Sequence, residues 1–212
     1  MDQLEKFVSL VMKQIFLHPR SSLVIETLDN PGWNLMTSGK ILKSEGCVER
    51  YNSDTDWVFA RSFDGDYDTS GDQSKLEMII EVFNGYFGSP EQTFQLPPAD
   101  FQGDPKSLIG RLVAWYSSYC DTEWEHIYGV DITFSGPSTC KIKIDLGETH
   151  LEGQAIPEWL RPGVGATFSY SVLDDVFYAE GKITDFKAML ELFLTWAEIP
   201  SPSLEDTESG DG

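Results

Sequence analysis

The sequence predicts an α+β protein built of two tandem, degenerate units, each a helix, an antiparallel β-meander and a closing helix. Three observations carry that expectation. The stretch after Gly71 aligns without gaps on the stretch after Gly181 at a constant offset of 110 residues: Leu76, Ile79, Ile80, Glu81, Phe83 and Tyr86 fall on Phe186, Met189, Leu190, Glu191, Phe193 and Trp196. Their apolar members recur every three or four positions and so share one helix face. At the other end of each unit, Leu4, Phe7, Val8, Val11, Met12 and Ile15 repeat the period of Leu108, Leu112, Trp115, Tyr116 and Tyr119, with Arg111 opposite Phe7. Between the helices lie short runs rich in β-branched and aromatic residues.

Taken in order, Met1 to Lys13 has an amphipathic helical pattern, and Asp2 with Glu5 three residues on forms a capping box. Strands are expected at Leu23 to Leu28, Trp57 to Phe63, Val130 to Phe134, Lys141 to Leu146 and Thr167 to Leu173. Turns are marked by Asn30-Pro31-Gly32 and Gly136-Pro137. Asp104-Pro105 supplies a cap and a first-turn proline for the third helix. The first unit covers residues 1–87 and the second 105–199. Residues 88–104, rich in Pro and Gly, form the linker, with Phe94, Leu96 and Phe101 available to pin it to a surface. The acidic, Ser- and Gly-rich tail, 200–212, has almost no apolar residue to bury and is expected to be disordered. Periodicity places Trp57, Phe59 or Phe63, Phe83, Phe168, Tyr170 and Phe193 in cores.

With 41% hydrophobic and 13% aromatic residues the chain has material for a substantial core. No run approaches the length needed to span a bilayer, and the start lacks a signal-peptide pattern, so the cytoplasm is expected. Cys47, Cys120 and Cys140 have neither CxxC nor metal-ligand spacing. A formal net charge of −20, shared by both units and the tail, repels nucleic acid and anionic membranes and favours a basic partner.

Two local signatures carry the functional signal. Cys120 to Gly129 reads C-D-T-E-W-E-H-I-Y-G, and Glu26 to Trp33 reads E-T-L-D-N-P-G-W, with Asp56-Trp57-Val58-Phe59 following. Together they resemble the immunity protein 53 family, small bacterial proteins that neutralise polymorphic toxins. A member of that family looks like one unit carrying both signatures. Here the second unit keeps the front half, with Trp115, Cys120, Asp121, Trp124, Glu125, His126, Tyr128 and Gly129, and the first keeps the back half, Glu26 to Trp33. The resemblance therefore implies a divergent tandem duplication and a cognate toxin as partner, without a cofactor.

The expected partner-binding face comprises Asp121, Glu123, Trp124, Glu125, His126 and Tyr128, joined by Asp29 and Trp33, because aromatic anchors beside charge dominate protein recognition. Structural roles remain open for the same residues: Asn30 to Gly32 is also plain turn chemistry, and Trp33 could fill a core. No metal site is expected. The weak alternative is Asp66, Asp68, Ser70, Asp72 and Glu77, which satisfy the spacing of a calcium loop but follow a strand-like segment instead of a helix. His126 and His150 lack metal-binding spacing, and no nucleophile elbow, P-loop or dinucleotide fingerprint occurs. The leading expectation is a non-enzymatic antitoxin that occludes a basic, nuclease-type toxin stoichiometrically. A small-ligand or calcium-responsive module, and a hydrolase using Glu123 and Glu125, are the alternatives, and the oligomeric state is open.

Overall fold

Asp2 starts α1 (Gln3–Leu17): its side chain accepts from the Glu5 amide while the Glu5 carboxylate accepts from the Asp2 amide, the expected capping box. In this computed structural model, residues 2–18, 20–39, 45–136, 138–163 and 166–199 are described. The acidic tail, Met1 and Pro137 of the Gly136-Pro137 turn lie outside them. The remaining helices are α2 (Leu76–Gly88), α3 (Leu108–Ser117) and α4 (Phe186–Ala197). The cap of α3 is Ser107, whose hydroxyl accepts from the Gly110 amide at 2.8 Å. Asp104-Pro105 instead forms the turn before it, closed by the bond from the Ser107 amide to the Asp104 carbonyl.

Among the described residues nine strands form one antiparallel sheet: β1 (Ser22–Leu28), β2 (Gly32–Ser38), β3 (Gly46–Ser53), β4 (Asp56–Phe63), β5 (Asp66–Asp72), β6 (Val130–Ser135), β7 (Thr139–Asp145), β8 (Ser169–Leu173) and β9 (Val176–Lys182). Their order across the sheet is β3-β4-β5-β2-β1-β6-β7-β9-β8. Counting outward from the central β1–β6 seam, β1, β2, β5 and β4 correspond to β6, β7, β9 and β8. The registers fix the correspondence. An offset of 107 carries the β1–β2 hairpin onto β6–β7, and 110 carries β4–β5 onto β8–β9. The seam pairs Ile25 with Ile132, residues themselves 107 apart, so a pseudo-two-fold axis passes through that pair. The duplication is thus folded as a fused pseudo-dimer.

The four α-helices of the described residues cover one face, and the two units share one core. Phe7 of α1 packs edge-on against Phe83 of α2 at 5.2 Å and Phe134 of β6 at 5.8 Å, and Phe134 meets Phe186 of α4 at 5.1 Å. Phe94 of the connecting segment lies 4.4 Å from Tyr86 and 5.7 Å from Tyr67. Burial also corrects the alignment of the opening helices: Leu4, Phe7 and Val11 correspond to Ile109, Leu112 and Tyr116, an offset of 105. Arg111 then no longer faces the core; it pairs with Glu198 at 2.7 Å.

Two strand expectations change. In β4 the inward residues are Val58 and Ala60, while Trp57 and Phe59 are half-buried on the other side and Phe63 is 70% exposed. Phe168 and Tyr170 are likewise half-buried, whereas Phe83 and Phe193 are fully buried as expected. Asp66–Asp72 is a strand, with Tyr67, Thr69 and Gly71 facing the core. Among the described residues, no α-helix packs on the opposite face of the sheet.

Candidate functional site

The segment Asp121–Tyr128 folds as a tight turn built by its own acids. Asp121 Oδ1 accepts from the amides of Glu123 and Trp124, both at 3.0 Å, which holds its carboxyl below the usual range. The Glu125 carboxylate folds back onto the amides of Asp121 at 3.1 Å and Thr122 at 3.0 Å. These bonds present Trp124 to the interior, where it is 2% exposed and donates from Nε1 to the Gly147 carbonyl at 2.8 Å. Tyr119 and Tyr128 flank its ring, each at 5.7 Å. Trp33 is also fully buried: Nε1 donates to the Gln73 carbonyl at 2.9 Å, and the ring meets Tyr116 of the second unit at 4.9 Å.

Of the residues expected on the partner-binding face, Trp33 and Trp124 are therefore interior groups, and Glu125, though buried, borders a neighbouring cleft. The local density of acids and aromatics is turn capping and core filling. Asp121 and Glu123 are exposed on the turn, and Asp29, His126 and Tyr128 line a neighbouring cleft. A Glu123–Glu125 catalytic pair is not assembled, because both oxygens of Glu125 are engaged by backbone amides.

That cleft, about 220 Å³, lies at one end of the β1–β6 seam, where the two signatures meet. Thr27 of the first unit accepts from the Val130 amide of the second at 3.0 Å. Gly129 lies so close to the Thr27 hydroxyl that a Cβ there would collide with it. The Gly129 amide donates to Asp145 Oδ2 at 3.1 Å. Glu26 of β1 stands directly opposite Asp131 of β6, so two like charges face each other across the seam, an unfavourable cross-strand pair. Partial burial first, and the Asp131 charge second, push the Glu26 carboxyl upward. Lys143 pairs with Asp145 at 3.2 Å, while among the described residues Glu26, Asp29 and Asp131 have no ion-pair partner.

The other end of the seam differs. Two-fold counterparts of Glu26, Asp29, Asp131, Lys143 and Asp145 are Thr133, Gly136, Val24, Met36 and Ser38, none of them charged.

Comparison with known proteins places this asymmetric duplication. The family model described as immunity protein 53 matches residues 18–87 and again 109–198. The chain belongs to the immunity protein 53 family. Its two matched segments are the two halves of the pseudo-dimer, and membership in this family implies an immunity protein directed against a toxin. No curated protein and no solved structure matches the chain.

The calcium-loop alternative is corrected by β5, whose extended backbone sends alternate side chains to opposite faces. Asp68 pairs with Arg61 at 2.9 Å; Asp72 accepts from the amides of Trp57 and Ser74; Glu77 accepts from the Ser107 hydroxyl. These groups serve separate local structures. Among the described residues no cluster of His, Cys, Asp and Glu could hold a metal, and no helix is long and apolar enough to cross a membrane. Burial pushes the Cys120 thiol up to about 11.

Sequence reasoning missed Glu26, Asp131, Lys143, Asp145 and the 69%-exposed Ile127 as site residues. An acid within each seam strand, Glu26 in β1 and Asp131 in β6, was the available signal. Its meaning depends on a pairing between strands a hundred residues apart, which neither segment encodes locally.

Proposed function

We propose that this protein neutralises its toxin by stoichiometric binding, and that the toxin surface it covers is basic, as on a nuclease that handles an anionic substrate. Membership in the immunity protein 53 family carries the reading. The net charge of −20 supports the sign of the partner, since a strongly acidic protein attracts and steers a basic one. Masking the cations a toxin uses for its own substrate needs no chemistry from the antitoxin.

Calorimetry with the cognate toxin domain, identified by capture from the native strain and inactivated at its catalytic residue, tests this. A tight complex that weakens steeply with added salt is expected, together with loss of toxin activity at a one-to-one ratio. Saturable neutralisation that survives high salt undiminished would remove the basic-partner part of the reading. Neutralisation at a small fraction of the toxin's concentration would replace occlusion by catalysis.

A further inference from the structure

We infer that the toxin docks on the helix-free face of the sheet, at the acidic end of the seam, through an arginine- or lysine-bearing segment, one toxin domain per chain despite the duplication. This rests on the antitoxin reading above and assigns it a surface and a stoichiometry.

The first observation is what the uncovered face exposes. Of the eight large hydrophobic side chains exposed among the described residues, Tyr51, Phe63, Leu173 and Tyr178 point outward from β3, β4, β8 and β9, and Ile127 stands at the seam cleft. Phe63 and Leu173 are two-fold counterparts near opposite edges of the sheet. Phe63 lies at the neutral end of the sheet and Tyr51 near its far edge, whereas Tyr178 and Ile127 line the hollows at the acidic end and supply apolar contact for a molecule that covers it.

The second is the shape and charge of its centre. The seam cleft runs into a wider hollow of about 610 Å³ over β7, β9 and β8, the two sharing Asp131 and Lys143. Lys143 and Lys141, the cations in these hollows, are already paired with Asp145 and Glu180, each at 3.2 Å. Glu26 and Asp29 have no ion-pair partner among the described residues, and Asp131 accepts from the Thr133 hydroxyl while Lys143, opposite it in β7, pairs with Asp145, so a guanidinium or ammonium from outside adds the cation that Glu26 and Asp29 lack.

The third is the cost of the arrangement. Opposed carboxylates at Glu26 and Asp131 repel across the seam, offset in part by Lys143 opposite Asp131 in β7, whereas the counterpart pair, Val24 and Thr133, carries no such repulsion. The same fold thus accommodates the position without charge. A stability penalty confined to one of two equivalent ends is the pattern of a binding position. With only one end so equipped, one partner is accommodated.

The experiment uses the full chain and the catalytically inactivated toxin domain identified by capture from the native strain. Three single or double substitutions are compared: Glu26→Gln with Asp131→Asn, Ile127→Ala, and Glu191→Gln on the helical side as a single-charge control. The expected result for the double variant is binding weakened about tenfold or more together with a melting temperature equal to or above the parent's. Ile127→Ala should weaken binding measurably, Glu191→Gln should leave it within about twofold as a rim charge far from the contact, and the molar ratio should be one. A double variant that binds like the parent overturns the surface while leaving the antitoxin reading intact. A ratio of two toxins per chain, or an equal loss from Glu191→Gln, overturns the one-ended assignment in favour of symmetric or diffuse recognition. No binding by the parent protein overturns the antitoxin reading and this surface with it.

Discussion

The two ends of the β1–β6 seam share a backbone and differ in almost everything else. At one end, Ser22, Ser38, Ser135 and Thr139 terminate the strands with small hydroxyl side chains. At the other, a turn capped by Asp121 and Glu125 packs Trp124 beneath the seam, and carboxylates from both units gather above it. Duplication supplied two equivalent positions, and fusing them into one chain released each unit from having to carry both signatures. The first unit needs the Glu26 to Trp33 stretch and the second needs Cys120 to Gly129, because only those two meet.

The sharpest way to break the comparison is through the core, where the halves should still be equivalent. Phe83 and Phe193 occupy matched positions on α2 and α4 and are both fully buried, so truncation to Ala should cost about 3–5 kcal/mol in either unit. Because the core is continuous across the seam, both variants should unfold in a single transition by calorimetry. A separate melt of one half would show that the pseudo-dimer is two independent folding units.

Trp124→Ala should cost a similar amount, about 3–5 kcal/mol, for a residue with no counterpart in the first unit. Its effect on toxin binding should then follow from unfolding, and excess variant at low temperature should still neutralise. Gly129→Ala comes next. A methyl there collides with the Thr27 hydroxyl, and overpacking of this kind costs about 1–3 kcal/mol. Its counterpart under the two-fold, Ser22, already carries a side chain, so Ser22→Ala should be nearly silent in the same denaturant titration.

How much of this was legible in sequence follows from which signals are local. The helices of the repeat were readable because Leu76 to Tyr86 and Phe186 to Trp196 each carry their own period. Strand β4 was assigned to the wrong face because Trp57, Phe59 and Phe63 outweigh Val58 and Ala60 in bulk, and only pairing with β5 decides which set turns inward. Strand β5 was hidden by its composition. Three of its seven residues are aspartate, and it survives in the sheet because Asp72 is neutralised by Lys75 and by two backbone amides. At the site, the signature residues were visible, but Trp33, Trp124 and Glu125 proved to be its scaffold. The groups that face outward belong to the register of the seam.

The smallest expected effect tests the seam itself. Burial and Asp131 raise the Glu26 carboxyl above its ordinary 4.5, so the folded state holds this proton more tightly than the unfolded chain does. The sign follows from linkage: a raised carboxyl favours the folded state at low pH, and that contribution is lost as pH rises from about 4.5 through the raised value. Glu26→Gln removes the ionisation, and with it the like-charge repulsion, so the variant should gain on the parent over that interval. Cross-strand charge pairs are worth about 0.2–1 kcal/mol, which sets the scale of the gain at neutral pH. Val24→Gln in the counterpart pair has no carboxylate opposite it and should show no such widening with pH. Thermal melts of the three proteins between pH 4 and pH 8 decide the matter. A constant gap between parent and Glu26→Gln across that range would mean that the seam does not load Glu26 electrostatically. The acidic end would then differ from the neutral end in composition alone.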